Sequence, residues 1–137
     1  MKDKAILQQR NDDLRATYER VNKASEGMLY ISSSSLLSIV AEEPAPRFYI
    51  NPRWAREIIR RYYKGIATPT TRRDMIEDLV DNYERLKVLY PKARKKQLFR
   101  LLVEQPARSF YLSPYSIRDI VFNYKRHPHH EKTSQTH

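Results

Sequence analysis

The residues best able to do chemistry in this 137-residue chain are cations clustered between positions 53 and 64. Apolar side chains recur there at helical spacing, so they would form a buried face and leave the cations on the rest of the helix. The apolar set is Ala55, Ile58, Ile59 and Tyr62; the cations are Arg53, Arg56, Arg60, Arg61 and Lys64, opposed by Glu57 alone. Guanidinium and ammonium groups bind phosphate oxygens through charge-assisted hydrogen bonds. The segment therefore predicts a helix that binds a polyanion.

A second group of cations has no acidic residue within it. Its members are Lys92, Arg94, Lys95, Lys96 and Arg100, near the expected start of a helix. Cations there oppose the helix dipole, which favours anions at a helix N-terminus. Arg72 and Arg73 repeat this arrangement at the start of the preceding helix. A bound phosphate would offset the unfavourable charge, so both groups are predicted backbone-phosphate contacts, with a solvated face as the alternative.

The sequence lacks the residues that catalysis or metal binding would need. The chain has no cysteine, only two glycines, and no histidine before residue 127. Nucleophilic catalysis needs a base beside a serine or cysteine, and structural zinc needs four preorganised ligands. We therefore expect a protein that is not an enzyme and that uses no cofactor and no metal ion.

The elements that would position the cations occur twice in the chain. Glu42, Pro44, Ala45, Phe48, Tyr49, Pro52, Arg56, Ile58 and Tyr62 recur 62 positions later as Glu104, Pro106, Ala107, Phe110, Tyr111, Pro114, Arg118, Ile120 and Tyr124. A further match upstream, which pairs Asp13 with Asp78, has an offset of 65. Because an internal period defines the fold unit, we expect two copies of one small helical unit. The repeated Phe-Tyr pairs are predicted core anchors, and Glu42 with Arg56 and Glu104 with Arg118 are predicted structural ion pairs.

Helix signals predict six helices and no strand. Ser32 and Asn51 are predicted N-caps, Pro52 suits the first helical position, and Gly65 ends a helix. The predicted helices cover residues 3–24, 33–43, 52–64, 72–90, 92–104 and 114–126. The predicted fold is therefore all-α, a tandem duplication of a three-helix unit. The units lie at residues 1–65 and 66–126 and pack together, and a disordered tail follows at 127–137.

Three short helices with a basic third helix resemble the architecture of helix-turn-helix domains, in which the third helix enters the major groove. The corresponding residues of the second copy are Tyr115, Arg118, Asn123, Lys125 and Arg126. The loop at residues 42–50 is longer than the usual turn, so an altered variant of that architecture is expected. A non-specific phosphate-binding face and a solvated or protein-binding basic helix remain as alternatives.

The net charge of the chain indicates what kind of partner it binds. The 26 Lys and Arg exceed the 16 Asp and Glu, which gives a net charge of +10 and a pI near 9.9. Such a balance is typical of proteins with a polyanionic partner. We expect a small cytoplasmic nucleic-acid-binding protein, first of all for duplex DNA, with a regulatory or mobile-element role. The alternative is a helical protein-protein interaction module. No apolar run approaches the roughly 18–20 residues of a membrane span, and the sequence does not predict an oligomeric state.

Overall fold

A computed structural model describes residues 3–27 and 31–123, and these ranges are helical with short connections. The helices are α1 (Lys4–Ala24), α2 (Ser33–Ala41), α3 (Pro52–Lys64), α4 (Arg73–Leu89), α5 (Lys95–Val103) and α6 (Pro114–Arg118), which continues as a π-helical turn over Asp119–Asn123. No strand occurs within the described ranges. The predicted all-α fold with six helices is confirmed.

Local capping chemistry fixes where several helices begin. The Ser32 hydroxyl accepts a hydrogen bond from the Ser35 amide (3.1 Å), and the Asn51 side chain accepts one from the Trp54 amide (2.7 Å). Each bond satisfies an amide that the first helical turn leaves unpaired. Gly65 ends α3 in the left-handed conformation, with φ 70°. The N-caps predicted from the sequence are therefore confirmed.

One predicted helix boundary is wrong. The fifth helix begins at Lys95 rather than at Lys92, because the chain first makes a turn in which the Ala93 amide bonds the Tyr90 carbonyl (3.1 Å). The regular part of the sixth helix ends at Arg118, where the chain widens into the π-helical turn. The rest of that predicted helix and the predicted tail lie outside the described residues.

The helices pack in two groups that mix early and late parts of the chain. Helix α3 packs against α4 and α5, whereas α6 packs against α2 and its π-helical turn against α1. The connections before α3 and α6 meet where Ala45 and Ala107 exchange two main-chain hydrogen bonds. The side chains buried most completely include Leu14, Val40, Phe48, Ile58, Leu79, Leu86, Leu102, Ile117 and Val121. Helix contacts thus cross the boundary predicted at residue 65.

The repeated aromatic residues hold these connections in the core. Phe48 and Phe110 are buried, and the ring of Tyr49 stacks on that of Phe110 with centroids 5.8 Å apart. The prediction that the Phe-Tyr pairs are core anchors is confirmed. Within the part of the chain that the structure describes, no helix has the length and apolar content to cross a membrane.

Candidate nucleic-acid interface

Helix α3 presents its cations on the side away from the core. Ala55, Ile58 and Ile59 are buried against the neighbouring helices. The exposed cations of this helix are Arg53, Arg56, Arg60 and Lys64, and Arg61 is half-buried. The predicted amphipathic arrangement therefore holds for these three apolar residues and for the cations.

Glu57 partly neutralises this surface. Its carboxylate accepts two hydrogen bonds from Arg60 (3.0 and 2.6 Å) and one from Arg61 (2.8 Å). The bonds from Arg60 and then from Arg61 hold the pKa of Glu57 at about 2. Glu57 therefore stays ionised at neutral pH and attracts two cations that would otherwise face solvent.

The other cations of α3 are free of such pairing. Among the described residues, no carboxylate lies within 4 Å of Arg53, Arg56 or Lys64. The predicted ion pairs of Arg56 with Glu42 and of Arg118 with Glu104 are wrong, since neither forms. An exposed and unpaired guanidinium keeps its donors for an external acceptor.

The second predicted cluster lies on α5, the helix that packs against α3, and in the turn just before it. Lys92, Arg94, Lys95, Lys96 and Arg100 are all exposed, and no described carboxylate lies within 4 Å of them. The structure thus packs against each other two helices that both carry exposed cations and that are distant in sequence. We call the group formed by α3, α4 and α5 the basic half.

Arg72 and Arg73 have partners within the protein. Arg72 pairs with Asp74 (2.8 Å) and lies 5.7 Å from the centre of the Tyr111 ring, and Arg73 pairs with Glu77 (3.4 Å). These carboxylates lie in the first turns of α4. They offset the positive charge of the two arginines, which by itself would oppose the helix dipole. A phosphate is therefore not needed to account for the two arginines.

The residues predicted on the sixth helix lie in the other group. Tyr115 and Arg118 are exposed on α6, which packs against α2 and not against α3 or α5. Asn123 ends the π-helical turn, and Lys125 and Arg126 lie outside the described residues. The structure does not bring Tyr115 and Arg118 beside the basic half.

The charge of the chain is concentrated in the basic half. Residues 51–104 hold 14 Lys and Arg against 7 Asp and Glu, which is +7 of the total +10. Residues 1–50 hold seven of each sign and are neutral. The cationic surface thus belongs to one side of the fold rather than to both third helices equally.

Sequence reasoning missed a set of exposed apolar side chains in this half. Tyr62, predicted on the inward face of α3, is 48% exposed, and Tyr63 beside it is 52% exposed. Tyr90, the C-cap of α4, is 49% exposed. The adjacent tyrosines at 62 and 63 were the sequence signal for this exposure. Neighbouring residues on a helix point in directions about 100° apart, so the two rings do not share one buried face.

No protein-family model matches this chain, and no curated protein or solved structure is significantly similar to it.

Proposed function

We propose that this protein binds nucleic acid, in the first place duplex DNA, through the basic half, and that it acts without catalysing a reaction. The observation that carries the proposal is that α3 and α5, which pack against each other, both carry exposed cations with no described carboxylate within 4 Å. Phosphate contacts supply most of the affinity of proteins for duplex DNA. A surface of this charge is suited to that interaction.

Helix α3 is the element best suited to enter a groove. Its 13 residues make a rod of about 20 Å, and the major groove of B-DNA is about 12 Å wide, which admits a helix. Arg53 and Arg56 lie in its first turns, exposed and without a described carboxylate partner. Arginine at such positions bonds guanine bidentately. Lys95, Lys96 and Arg100 on α5 would then contact the phosphates alongside.

The architecture of the protein is best explained by a tandem duplication in which the third helices are exchanged. Tyr49 donates a hydrogen bond to Asp13, and Tyr111 donates one to Asp78, at positions that correspond in the sequence repeat. Packing of α3 on α5 corresponds to packing of α6 on α2. In this interpretation the repeats at 1–65 and 66–126 are units of sequence, and each packed group takes its third helix from the other repeat.

The proposal is tested by titrating a fluorescent mixed-sequence duplex at several salt concentrations. We expect log K to fall linearly with log salt, with a slope of about 0.9 for each phosphate neutralised. The double variant Lys95→Glu/Lys96→Glu should bind several-fold more weakly with a shallower slope. It should stay folded, because acidic residues in the first turn of a helix complement the helix dipole.

The matched control changes the same charge in the group formed by α1, α2 and α6. Lys23→Glu/Arg118→Glu places the substitutions on exposed positions of α1 and α6, and we expect a much smaller loss of affinity. Equal losses in both variants would refute a localised binding face. No binding at low salt would refute the function itself and favour the protein-protein interaction module.

A further inference from the structure

Exposed apolar side chains are concentrated at the C-terminal ends of α3 and α4. Of eight large hydrophobic residues that are exposed in the described ranges, six lie at positions 62–66 and 88–90. They are Tyr62, Tyr63, Ile66, Val88, Leu89 and Tyr90. Single exposed apolar residues are ordinary, but a concentration of them marks a binding surface. We call these six residues the aromatic end.

Side-chain contacts join α3 and α4 at this place. The Lys87 ammonium lies 5.7 Å from the centre of the Tyr63 ring and 5.0 Å from that of Tyr83. The rings of Tyr62 and Tyr63 meet edge to face with centroids 5.3 Å apart. The Tyr90 amide bonds the Leu86 carbonyl (2.8 Å). Lys87 of α4 therefore lies against Tyr63 of α3, and residues 88–90 follow Lys87 within one helical turn.

The two stretches of chain that contain the aromatic end are cationic in sequence, and Glu84, just before the second stretch, pairs with Lys87 (3.4 Å). Residues 58–73 and 85–103 contain twelve Lys and Arg and no Asp or Glu. Arg60, Lys64 and Lys92 are among the exposed cations of these stretches. A partner that fits must combine negative charge with flat apolar surfaces. Unpaired nucleotides have both, since each carries a phosphate and a base whose face stacks on aromatic rings.

We propose that the aromatic end stacks unpaired bases, so that the protein binds a duplex with a single-stranded extension more tightly than a blunt duplex. The inference rests on the proposed function and specifies its substrate. Bases inside a duplex are stacked on each other and present no free face, whereas those of a single strand do. Cations of α3 and α5 then hold the duplex, and the tyrosines hold the strand that continues from it.

The decisive probes differ only in the extension. One is a blunt duplex, the second carries an eight-thymidine extension, and the third carries an extension of eight abasic residues with the same phosphates. We expect the thymidine extension to raise affinity at least about fivefold over the abasic one. The gain should persist at higher salt, because stacking is less sensitive to salt than phosphate contacts.

Two variants test whether the higher affinity for the thymidine extension arises at the aromatic end. Tyr62→Leu/Tyr63→Leu keeps apolar volume and helix propensity but removes the rings, and should abolish the thymidine gain while leaving affinity for the blunt duplex nearly unchanged. Val88→Glu, at a side chain 79% exposed, should reduce the same gain by repelling the strand and is expected to fold normally. Ile39→Ala, at an exposed position of α2, is the control and should retain the gain.

The outcomes separate the two proposals. Equal affinity for the thymidine and abasic probes, with salt-dependent duplex binding intact, overturns the stacking inference and leaves the proposed function standing. A thymidine gain that survives in both the tyrosine variant and Val88→Glu also overturns it. Failure of all three probes to bind at low salt overturns both proposals, and a protein partner for the aromatic end would follow.

Discussion

Ala45 and Ala107, which are 62 residues apart, exchange two main-chain hydrogen bonds: the Ala45 amide bonds the Ala107 carbonyl at 3.0 Å, and the Ala107 amide bonds the Ala45 carbonyl at 2.9 Å. Both alanines are buried. Each lies in the connection that precedes a third helix, so the two connections meet in the interior before α3 and α6 diverge to opposite groups. The positions of both third helices therefore depend on this crossing.

A disulfide engineered at the crossing tests it directly. Residues that exchange both main-chain bonds in an antiparallel pair have Cα atoms about 5.5 Å apart, within the range that a disulfide spans. Since the chain has no cysteine, Ala45→Cys/Ala107→Cys should form one intramolecular disulfide on oxidation. We expect oxidation to stabilise the variant by about 2–4 kcal/mol. The measurement is urea denaturation of the oxidised and reduced forms of the same variant, with thiol titration to count free cysteines. Free thiols that persist under oxidising conditions would show that the two connections do not meet.

Asp78 should be the most sensitive carboxylate in the fold. It is 1% exposed and accepts hydrogen bonds from the Arg108 amide (2.9 Å), the Asn82 side chain (2.9 Å) and the Tyr111 hydroxyl. Asp78→Ala leaves buried donors without an acceptor, so we expect a loss of about 3 kcal/mol in the free energy of unfolding, measured by urea denaturation.

Asp81 provides the matched control, because it is on the same helix and pairs with the same arginine. Its side chain is exposed, and its bond to Arg108 is 2.8 Å. Exposed ion pairs contribute little, so Asp81→Ala should cost no more than about 1 kcal/mol. Equal losses from the two substitutions would contradict a special role for Asp78.

The two part-buried tyrosine-aspartate hydrogen bonds predict a loss of stability in alkali. Burial, and then the hydrogen bonds to Asp13 and Asp78, raise the pKa of Tyr49 and of Tyr111 well above the ordinary value. In the unfolded chain a tyrosine titrates near pH 10. A raised folded pKa gives stability that is complete below the unfolded pKa and is lost as pH rises through the folded pKa. The free energy of unfolding should therefore fall as pH rises above about 10.

Phenylalanine variants isolate these two phenols from the other tyrosines. Tyr49→Phe/Tyr111→Phe should be less stable than the native chain at pH 8, because it lacks both hydrogen bonds, and should lose less further stability between pH 8 and 11. Tyr115→Phe changes an exposed ring and should behave as the native chain. The comparison is made by urea denaturation at each pH, and parallel pH profiles for the double variant and the native chain would contradict the assignment.

Local chemistry made much of this fold predictable from the sequence. Ser32, Asn51 and Gly65 define helix ends through bonds and backbone conformations that involve only their neighbours. The helical spacing of Ile58 and Ile59 likewise identified the buried side of α3. Such features can be predicted without knowing how the helices pack against each other. The same reasoning located the cations of the candidate site.

Long-range arrangement was not predictable in the same way. Ile58 corresponds to Ile120 in the repeat, so α3 and α6 have the same apolar pattern. Either helix could therefore pack against α1 and α2 or against α4 and α5, and the pattern does not predict which. The predicted pairing of Glu42 with Arg56 failed for a related reason, since it assumed contacts within one repeat. Arg56 lies on α3, which packs against α4 and α5, whereas Glu42 lies at the end of α2, which packs against α1 and α6.

Glu57 provides the sharpest test of the proposed binding face, because removing it should strengthen binding. Its carboxylate holds Arg60 and Arg61 by three hydrogen bonds, and a pKa of about 2 keeps it charged throughout the physiological range. Glu57→Gln removes that charge and releases two guanidinium groups on the helix proposed to meet DNA. We expect duplex affinity at low salt to rise about threefold to tenfold, and the slope of log K against log salt to steepen by about 0.9 for each phosphate gained. Glu42→Gln, an exposed position just beyond α2, changes the net charge equally and should leave both quantities nearly unaltered. If the two glutamine variants bind alike, only the total charge matters and α3 is not the contact; if Glu57→Gln alone gains affinity, the contact lies on α3.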